Sequence, residues 1–154
     1  MSLDLDFQGK RVLVTAGTKG VGKAVVGLLK KQGARVLTTA RHAPTECIAD
    51  AFVASDLTTV KGCTSVAEAV QAHLGGVDII IHVAGGSTSP GGGFASLGEE
   101  EWQQELNLNL LPAVGLDRAL LPGMLEQGGD APVYGPNLRA SCRRMESVGW
   151  LRTI

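Results

Sequence analysis

Four short apolar runs rich in β-branched residues lie between residues 11 and 83 and predict four strands. They cover Arg11–Thr15, Arg35–Ala40, Ala51–Ala54 and residues 77–83. Runs that are apolar at almost every position are typical of strands buried on both faces of a parallel sheet. The run over 77–83 is the clearest of the four, and the run over Ala51–Ala54 is the weakest.

Helical periodicity separates these runs. Apolar residues recur every three or four positions over 19–32 and 58–74, and glycines end both stretches at Gly33 and at Gly75 with Gly76. The predicted buried faces consist of Val21, Val25, Leu28 and Leu29 in the first helix and of Val60, Cys63, Ala67, Val70 and Leu74 in the second. The order strand, helix, strand, strand, helix, strand predicts an α/β fold with a parallel sheet.

The pattern changes after residue 84. A loop rich in glycine covers 85–98, and a helical stretch follows over 99–126, in which Pro112 and Pro122 are each expected to kink or break the helix. Residues 130–154 form an atypical tail with poor periodicity, in which the pattern allows a short strand at Val133–Tyr134. Residues 131–154 carry four arginines and one glutamate, a net charge of +3, whereas the preceding residues carry −4.

Composition excludes several classes of protein. The net charge of −1 argues against a nucleic-acid binder, and 44% hydrophobic residues argue against a disordered chain. Cys47, Cys63 and Cys142 are too few and too scattered for a disulfide framework or a zinc site, so no metal is expected. The polar N-terminus lacks the features of a signal peptide, and no apolar run is long enough to span a bilayer. We therefore expect a cytoplasmic protein without a membrane partner.

Glycine accounts for 21 of 154 residues, roughly twice the usual share of about 7%. Three glycines lie in residues 15–22, which join the first strand to the first helix. There they permit a sharp turn and a close approach of phosphate, while the helix N-terminus offers free N–H groups. This context predicts a dinucleotide site, and the alternative is a tight turn without ligand. The candidate phosphate-binding residues are Gly17, Thr18, Lys19, Gly20, Val21 and Gly22.

The end of the second strand distinguishes the two nicotinamide cofactors. An acidic residue there would bind the ribose hydroxyls of NAD, whereas an arginine would bind the extra phosphate of NADP. The sequence places Arg41 at this point, and Lys19 in the glycine turn can reach the same corner. These cations predict NADP rather than NAD. The alternative for Arg41 is a solvated surface residue.

Residues 8–15, the glycine turn, Asp56 with Leu57, Ala84 with Gly85, and Trp102 followed by Asn109 together resemble the short-chain dehydrogenase/reductase family. The resemblance covers about residues 7–129, which would form one NAD(P)-binding domain. It implies a Rossmann-like, doubly wound parallel sheet in three αβα layers, incomplete here at about four to five strands. It also implies hydride transfer between a nicotinamide dinucleotide and a small alcohol or carbonyl substrate.

The resemblance further implies the roles of individual residues. Asn109 matches the catalytic asparagine, which holds a water near a catalytic lysine; its alternative role is to bond freed backbone at a helix kink. The residues expected to contact the cofactor are Asp56 and Leu57 beside the adenine and Ala84, Gly85 and Gly86 under the nicotinamide ribose.

Two residues depart from the family pattern. Ala16 replaces the first glycine of the turn, which is unfavourable if that residue needs a positive φ, although Gly17 could take up the turn instead. His82 and Val83 replace the paired asparagines before Ala84. A packed, hydrogen-bonded role is expected for His82 rather than a catalytic one.

The catalytic tyrosine and lysine of the family are missing. The single tyrosine, Tyr134, has Leu138 four positions later, and the last lysine of the chain is Lys61. Ser141 and Ser147 are expected to be ordinary surface residues. We therefore hypothesise that the chain is truncated, with unrelated sequence from about Asp130 onward through a frameshift.

Three functions follow as alternatives. The chain is an NADP-dependent oxidoreductase by family, a catalytically inactive NADP-binding fragment, or a non-enzymatic interaction module that uses its basic tail. The helical stretch over 99–126 is the expected contact of a homo-oligomer. Its apolar residues Leu106, Leu110, Val114 and Leu121 are expected to lack cover within this chain.

Overall fold

A computed structural model describes residues 7–92, 94–128 and 133–134, which form a parallel five-stranded sheet with helices on both faces. The spatial order of the strands is β3-β2-β1-β4-β5. Every pairing is parallel, with Val12 opposite both Val36 and Ile79. The strands are β1 (Arg11–Thr15), β2 (Arg35–Ala40), β3 (Ala51–Ala54), β4 (Ile79–His82) and β5 (Val133–Tyr134).

Two apolar clusters cover the two faces of the sheet, so the predicted three-layer arrangement is confirmed. Alternate residues of β1 point to opposite sides, because successive side chains of a strand alternate. Val12 and Val14 pack against helix α1 (Gly20–Lys31), whereas Leu13 belongs to the cluster beneath α2 (Val60–Leu74) and α4 (Leu111–Glu126).

The helix faces differ in part from the predicted ones. In α1 the buried residues are Gly22, Val26 and Leu29, while Val21 and Leu28 are 63% and 54% exposed. Gly22 determines this orientation, because a Cβ there would overlap the carbonyl oxygen of Ala16. The helix therefore packs on the sheet through Gly22, Val26 and Leu29.

Helix α2 shows a similar correction. Val66 lies in the core, whereas Val60 is 86% exposed because it is the first residue of the helix. Cys63, Val70 and Leu74 are buried as predicted.

The 99–126 stretch divides into helix α3 (Glu99–Asn109) and α4, with Leu110 between them and Pro112 in the first turn of α4. The break expected near Pro112 is confirmed. At Pro122 the helix does not break, and α4 continues to Glu126. A short 3-10 helix, Phe94–Ser96, precedes α3.

The outer side of α3 and α4 is apolar. Leu106, Leu110 and Val114 are 42%, 41% and 41% exposed, as the sequence led us to expect. Leu121 differs, because it packs against the core cluster beneath α2 and α4.

In the part of the chain that the structure describes, no helix is both long and apolar enough to cross a membrane.

Candidate functional site

The candidate site lies at the carboxyl edge of the sheet, where the strand order reverses. From β1 the chain proceeds outward to β2 and β3, and β4 then lies on the other side of β1. Loops diverge at such a point and leave a crevice above the strand ends. The ends of β1, β2, β3 and β4 bring together nearly all the residues that the sequence singles out.

The turn between β1 and α1 has an unusual backbone at Ala16, whose φ is +54°. The alternative that Gly17 takes up the turn is wrong, because Gly17 has no positive φ. Gly17 is required for another reason: a Cβ there would overlap the Thr38 hydroxyl. Thr38 holds the turn by accepting from Gly17 N at 2.9 Å and donating to Val14 O at 2.7 Å.

The N-terminus of α1 is open to the crevice. Lys19 is the N-cap residue, and its side chain makes no capping hydrogen bond. The first turn of α1 carries no acidic residue, while Lys19, Gly20 and Val21 are exposed. Uncapped N–H groups and the positive end of the helix dipole therefore face an exposed position beside the turn.

Arg41 and Asp56 lie on the side of the crevice formed by β2 and β3. Arg41 follows β2 directly and is exposed. The Asp56 carboxylate accepts from the hydroxyl and N–H of Thr58 at 2.7 and 3.0 Å. These bonds, the hydroxyl first, hold the pKa of Asp56 below its usual range, with a smaller contribution from the charge of Arg41. Asp56 thus has a structural role at the start of α2, which the sequence did not indicate.

Thr39 has the only buried side-chain oxygen or nitrogen without a hydrogen-bond partner among the described residues. Its side chain is fully buried near the carboxyl end of β2, opposite Thr15 in β1. An unpaired buried hydroxyl is unfavourable unless water or a ligand satisfies it. Because the neighbouring Thr38 hydroxyl faces the turn before α1, the Thr39 hydroxyl lies on the opposite face of the sheet, on the side of α2 and α4.

The segment after β4 is anchored from below by Thr15. The buried hydroxyl oxygen of Thr15 accepts from the N–H groups of Val83 and Ala84, both at 2.9 Å. This places Gly85 and Gly86 in exposed positions at the edge of the crevice. The sequence identified these glycines but not the threonine that holds them.

Asn109, the last residue of α3, meets the same segment. Its Oδ1 accepts from Gly86 N at 3.0 Å, and its Nδ2 donates to Gly86 O at 2.8 Å. Gly85 must lack a side chain, because a Cβ there would lie 2.8 Å from Asn109 Oδ1. Nδ2 also donates to Glu105 O at 2.9 Å, which is the backbone bond expected of a residue at a helix break.

His82 makes the packed contact that we expected of it. Its Nε2 lies 2.8 Å from Asp117 Oδ1, and the two side chains are 7% and 8% exposed. Asp117 was not identified from the sequence, since a lone acid in an apolar helix gives no sign of its partner.

Glu105 is a second residue that the sequence analysis missed. It accepts hydrogen bonds from the loop after β4 and from Asn109. Its spacing of four residues before Asn109 places both on one face of α3, which is the signal that could have found it.

Several sequence-identified residues lie outside this constellation. Cys47 is exposed and Cys63 is buried, and both are free thiols. The described ranges contain no group of three or more histidines, cysteines or acids that could hold a metal ion. Tyr134 lies in β5, next to β4. The remaining positions fall outside the described residues: Leu138, Ser141, Cys142 and Ser147.

Comparisons with known proteins agree on one family. The model of the short chain dehydrogenase family matches residues 10–131. The 3-oxoacyl-(acyl-carrier-protein) reductase FabG of Vibrio cholerae serotype O1 is 31% identical over 130 residues, which are 80% of this chain and 52% of that reductase. The chain spans about half the length of the curated relatives it matches.

Solved structures give the same fold. L-sorbose reductase from Gluconobacter frateurii, complexed with NADPH and L-sorbose, is similar with a TM-score of 0.75 and 29% identity, over 86% of this chain and 54% of that one. NADH-dependent reductase A1-R′, complexed with NAD, gives a TM-score of 0.73 at 22% identity, over 83% of this chain and 59% of that one. The second similarity concerns the fold alone.

Proposed function

The chain belongs to the short-chain dehydrogenase family, and on that premise we propose that it is the cofactor-binding part of an NADP-dependent oxidoreductase. The observation that carries the proposal is the N-terminus of α1, which has no side-chain cap and lies at the carboxyl edge of the sheet, the edge from which the segment with Gly86 also leaves β4. The full reaction would move hydride between nicotinamide and the carbon of an alcohol or carbonyl substrate, and the cofactor would supply that chemistry.

The residues present fit a dinucleotide. The N–H groups of Gly20, Val21 and Gly22 would bind the diphosphate, since the first turn of α1 has neither a side-chain cap nor an acidic residue. Gly17 and Thr18 would complete the turn around the phosphates.

The two ends of the crevice would receive the two halves of the cofactor. Asp56 and Leu57 would lie beside the adenine, where Leu57 is half-buried and Asp56 exposed. Ala84, Gly85 and Gly86 would lie under the nicotinamide ribose, on the backbone that Thr15 anchors. Asn109 would position that backbone through its two bonds to Gly86.

A preference for NADP over NAD rests on charge. Arg41 is exposed at the end of β2, and Lys19 is exposed at the N-cap of α1. A phosphate on the adenosine ribose would lie between the ends of these two elements, where no carboxylate of residues 38–42 would oppose it. The sorbose reductase, at 29% identity, is itself a complex with NADPH.

The same residues do not provide a proton donor for the substrate oxygen. General acid catalysis in this family requires a tyrosine whose pKa is lowered by a lysine one helical turn later. In this chain Leu138 occupies that place after Tyr134, and no lysine follows Lys61. We therefore propose that the 154-residue chain by itself binds NADP without turning over a substrate.

The test measures binding and turnover on the same preparation. Fluorescence titration with NADPH and NADH is expected to show saturable binding of both, tighter for NADPH. Assays with simple ketones, aldehydes and alcohols are expected to show no turnover above the rate without protein. Absence of NADPH binding would refute the cofactor proposal, whereas measurable turnover would refute only the proposed lack of catalysis.

A further inference from the structure

We propose that Glu105 is a positioning residue of the cofactor site: it binds the loop after β4 to α3 and supplies one of the acceptors that hold the Asn109 side-chain amide beside Gly86. The inference rests on the proposed function and deepens it, since it concerns how the nicotinamide side of the crevice is held in place.

One carboxylate oxygen of Glu105 accepts three hydrogen bonds from the loop after β4. Its Oε1 accepts from Ser89 Oγ at 2.7 Å, from Ser87 Oγ at 2.8 Å and from Thr88 N at 3.2 Å. Alternate residues of an extended segment share one side, so Ser87 and Ser89 can both reach the same carboxylate. Three consecutive residues of the loop are thereby attached to a single helix side chain.

The other carboxylate oxygen of Glu105 contacts Asn109, the residue that matches the asparagine of the family. Glu105 Oε2 accepts from Asn109 Nδ2 at 3.2 Å, and Asn109 Oδ1 in turn accepts from Gly86 N at 3.0 Å. Gly86 directly precedes Ser87, so a closed ring of contacts runs from Glu105 through the loop to Gly86, Asn109 and back.

The negative charge of Glu105 determines which atom of the Asn109 amide can face it. Hydrogen bonds from the hydroxyls of Ser89 and then Ser87 hold the pKa of Glu105 below its usual range. An ionised carboxylate can only accept hydrogen bonds, so the amide nitrogen of Asn109 must face it. The same orientation lets Nδ2 donate to Gly86 O at 2.8 Å and to Glu105 O at 2.9 Å, so the carboxylate reinforces an orientation that backbone groups also select.

Gly86 is the point at which this network would reach the cofactor. The peptide of Gly86 is bonded to Asn109 at both its N–H and its carbonyl. Gly85 is closed to any side chain by Asn109 Oδ1. The position of the expected nicotinamide floor therefore depends on the Asn109 amide and, through the adjoining Ser87 and Ser89, on Glu105.

The test compares binding of the whole cofactor with binding of its adenosine half alone. We would prepare Glu105→Ala, Glu105→Gln and the double variant Ser87→Ala/Ser89→Ala, with Glu100→Gln on an exposed turn of the same helix as the matched control. Each is titrated with NADPH and with adenosine 2′,5′-bisphosphate, which lacks the nicotinamide half. We expect Glu105→Ala to weaken NADPH binding about tenfold, because the segment beneath the nicotinamide ribose would lose its attachment to α3.

Affinity for the bisphosphate is expected to stay the same in all variants. The double serine variant should lose NADPH affinity severalfold, and it leaves the helix untouched, so it keeps the test valid if Glu105→Ala fails to fold. Parallel loss of both ligands, as a merely structural role would give, or no loss of either in a folded variant, would overturn the inference.

A second readout needs no cofactor. The side-chain amide of Asn109 is expected to give one fixed pair of NMR signals in the parent chain, with slow hydrogen exchange. In Glu105→Gln these amide-proton signals should shift and exchange faster with water, because a neutral amide accepts a weaker hydrogen bond than a carboxylate does. Unchanged signals in Glu105→Gln would refute the positioning role, and lack of NADPH binding by the parent chain would refute the proposed function alone.

Discussion

His82 at the end of β4 and Asp117 in α4 form a buried contact of 2.8 Å between Nε2 and Oδ1. The two side chains are 7% and 8% exposed. The pair joins the strand that leads into Ala84 and Gly85 to the helix that follows Asn109. It therefore links β4 to α4 next to the proposed nicotinamide side of the crevice.

Removing the acid from this pair should destabilise the fold. Asp117→Ala takes the carboxylate away from a buried imidazole, and we expect a loss of about 1–3 kcal/mol in the free energy of unfolding. Asp117→Asn retains an acceptor oxygen and should cost less. Urea denaturation measures both, with the exposed neighbour Arg118→Ala as control. Equal stability of Asp117→Ala and Arg118→Ala would show that the contact contributes nothing.

A second pair, Arg11 and Asp78, connects the amino ends of β1 and β4. Arg11 Nη2 donates to Asp78 Oδ1 at 2.6 Å, and the backbone N–H of Arg11 donates to Oδ2 at 2.8 Å. The side-chain bond from Arg11 is the main reason that the pKa of Asp78 is held below its usual value of 3.8. The folded state therefore binds the proton less readily than the unfolded chain does.

This difference predicts the direction of a pH effect. The contribution of Asp78 to the free energy of unfolding is complete at pH values above the pKa that this residue has in the unfolded chain. It is lost as the pH falls through the lower pKa that Asp78 has in the folded state. Asp78→Asn should therefore destabilise the chain at neutral pH by about 1–2 kcal/mol and reduce the loss of stability in acid. Denaturation at several acidic pH values tests this, with the exposed Glu68→Gln as control. An unchanged acid slope in Asp78→Asn would contradict the prediction.

Ala16 stands in a left-handed backbone conformation, with φ at +54°. A left-handed conformation costs an L-residue about 1–2 kcal/mol, and glycine avoids this cost but loses more entropy on folding. We expect Ala16→Gly to stabilise the chain by up to about 1 kcal/mol, which raises Tm by roughly 2–4 °C. Ala24→Gly in the exposed interior of α1 is the matched control and should lower Tm. A fall in Tm for both would show that residue 16 carries no strain.

The apolar runs of the sequence predicted most of the sheet. The bounds of β1, β2 and β3 are those of the apolar runs, because a fully buried parallel strand has no polar face to interrupt the pattern. The run over 77–83 overestimates β4, which begins only at Ile79. Asp78, just before it, instead binds Arg11. An apolar run thus marks burial but not the residue at which pairing starts.

Side-chain partners were harder to predict than elements. Asp117 and Glu105 both lie on helices, and each meets a residue of another element that is distant in sequence. Such contacts depend on how a helix is rotated on the sheet, and that rotation was misjudged for α1, where Val21 and Leu28 are exposed. The glycine turn was predictable because its residues are contiguous.

Arg41 should discriminate between the two cofactors. Arg41→Ala removes a cation that would pair with the extra phosphate, and we expect NADPH affinity to fall about tenfold or more, the equivalent of one charge-assisted bond. NADH affinity should stay unchanged. Lys31→Ala is the control for net charge, because it also removes one positive charge but at the end of α1 that is distant from the crevice. Equal losses for NADPH and NADH, or a loss in Lys31→Ala of the same size, would contradict this role.

The exposed apolar row on α3 and α4 predicts self-association. Trp102, Leu106, Leu110 and Val114 follow one another at intervals of four residues, and each is 41% or 42% exposed. Large apolar patches of this kind are typical of contact surfaces, and a second copy of the chain would present the same row. We expect Leu106→Lys/Val114→Lys to weaken association at least about tenfold, because each buried aliphatic side chain contributes about 1.5–3 kcal/mol.

Sedimentation velocity over a range of concentrations measures the change, and Val60→Lys, at an apolar residue 86% exposed on α2, is the control. If the double variant and Val60→Lys sediment like the parent chain, copies of the chain do not meet through this row.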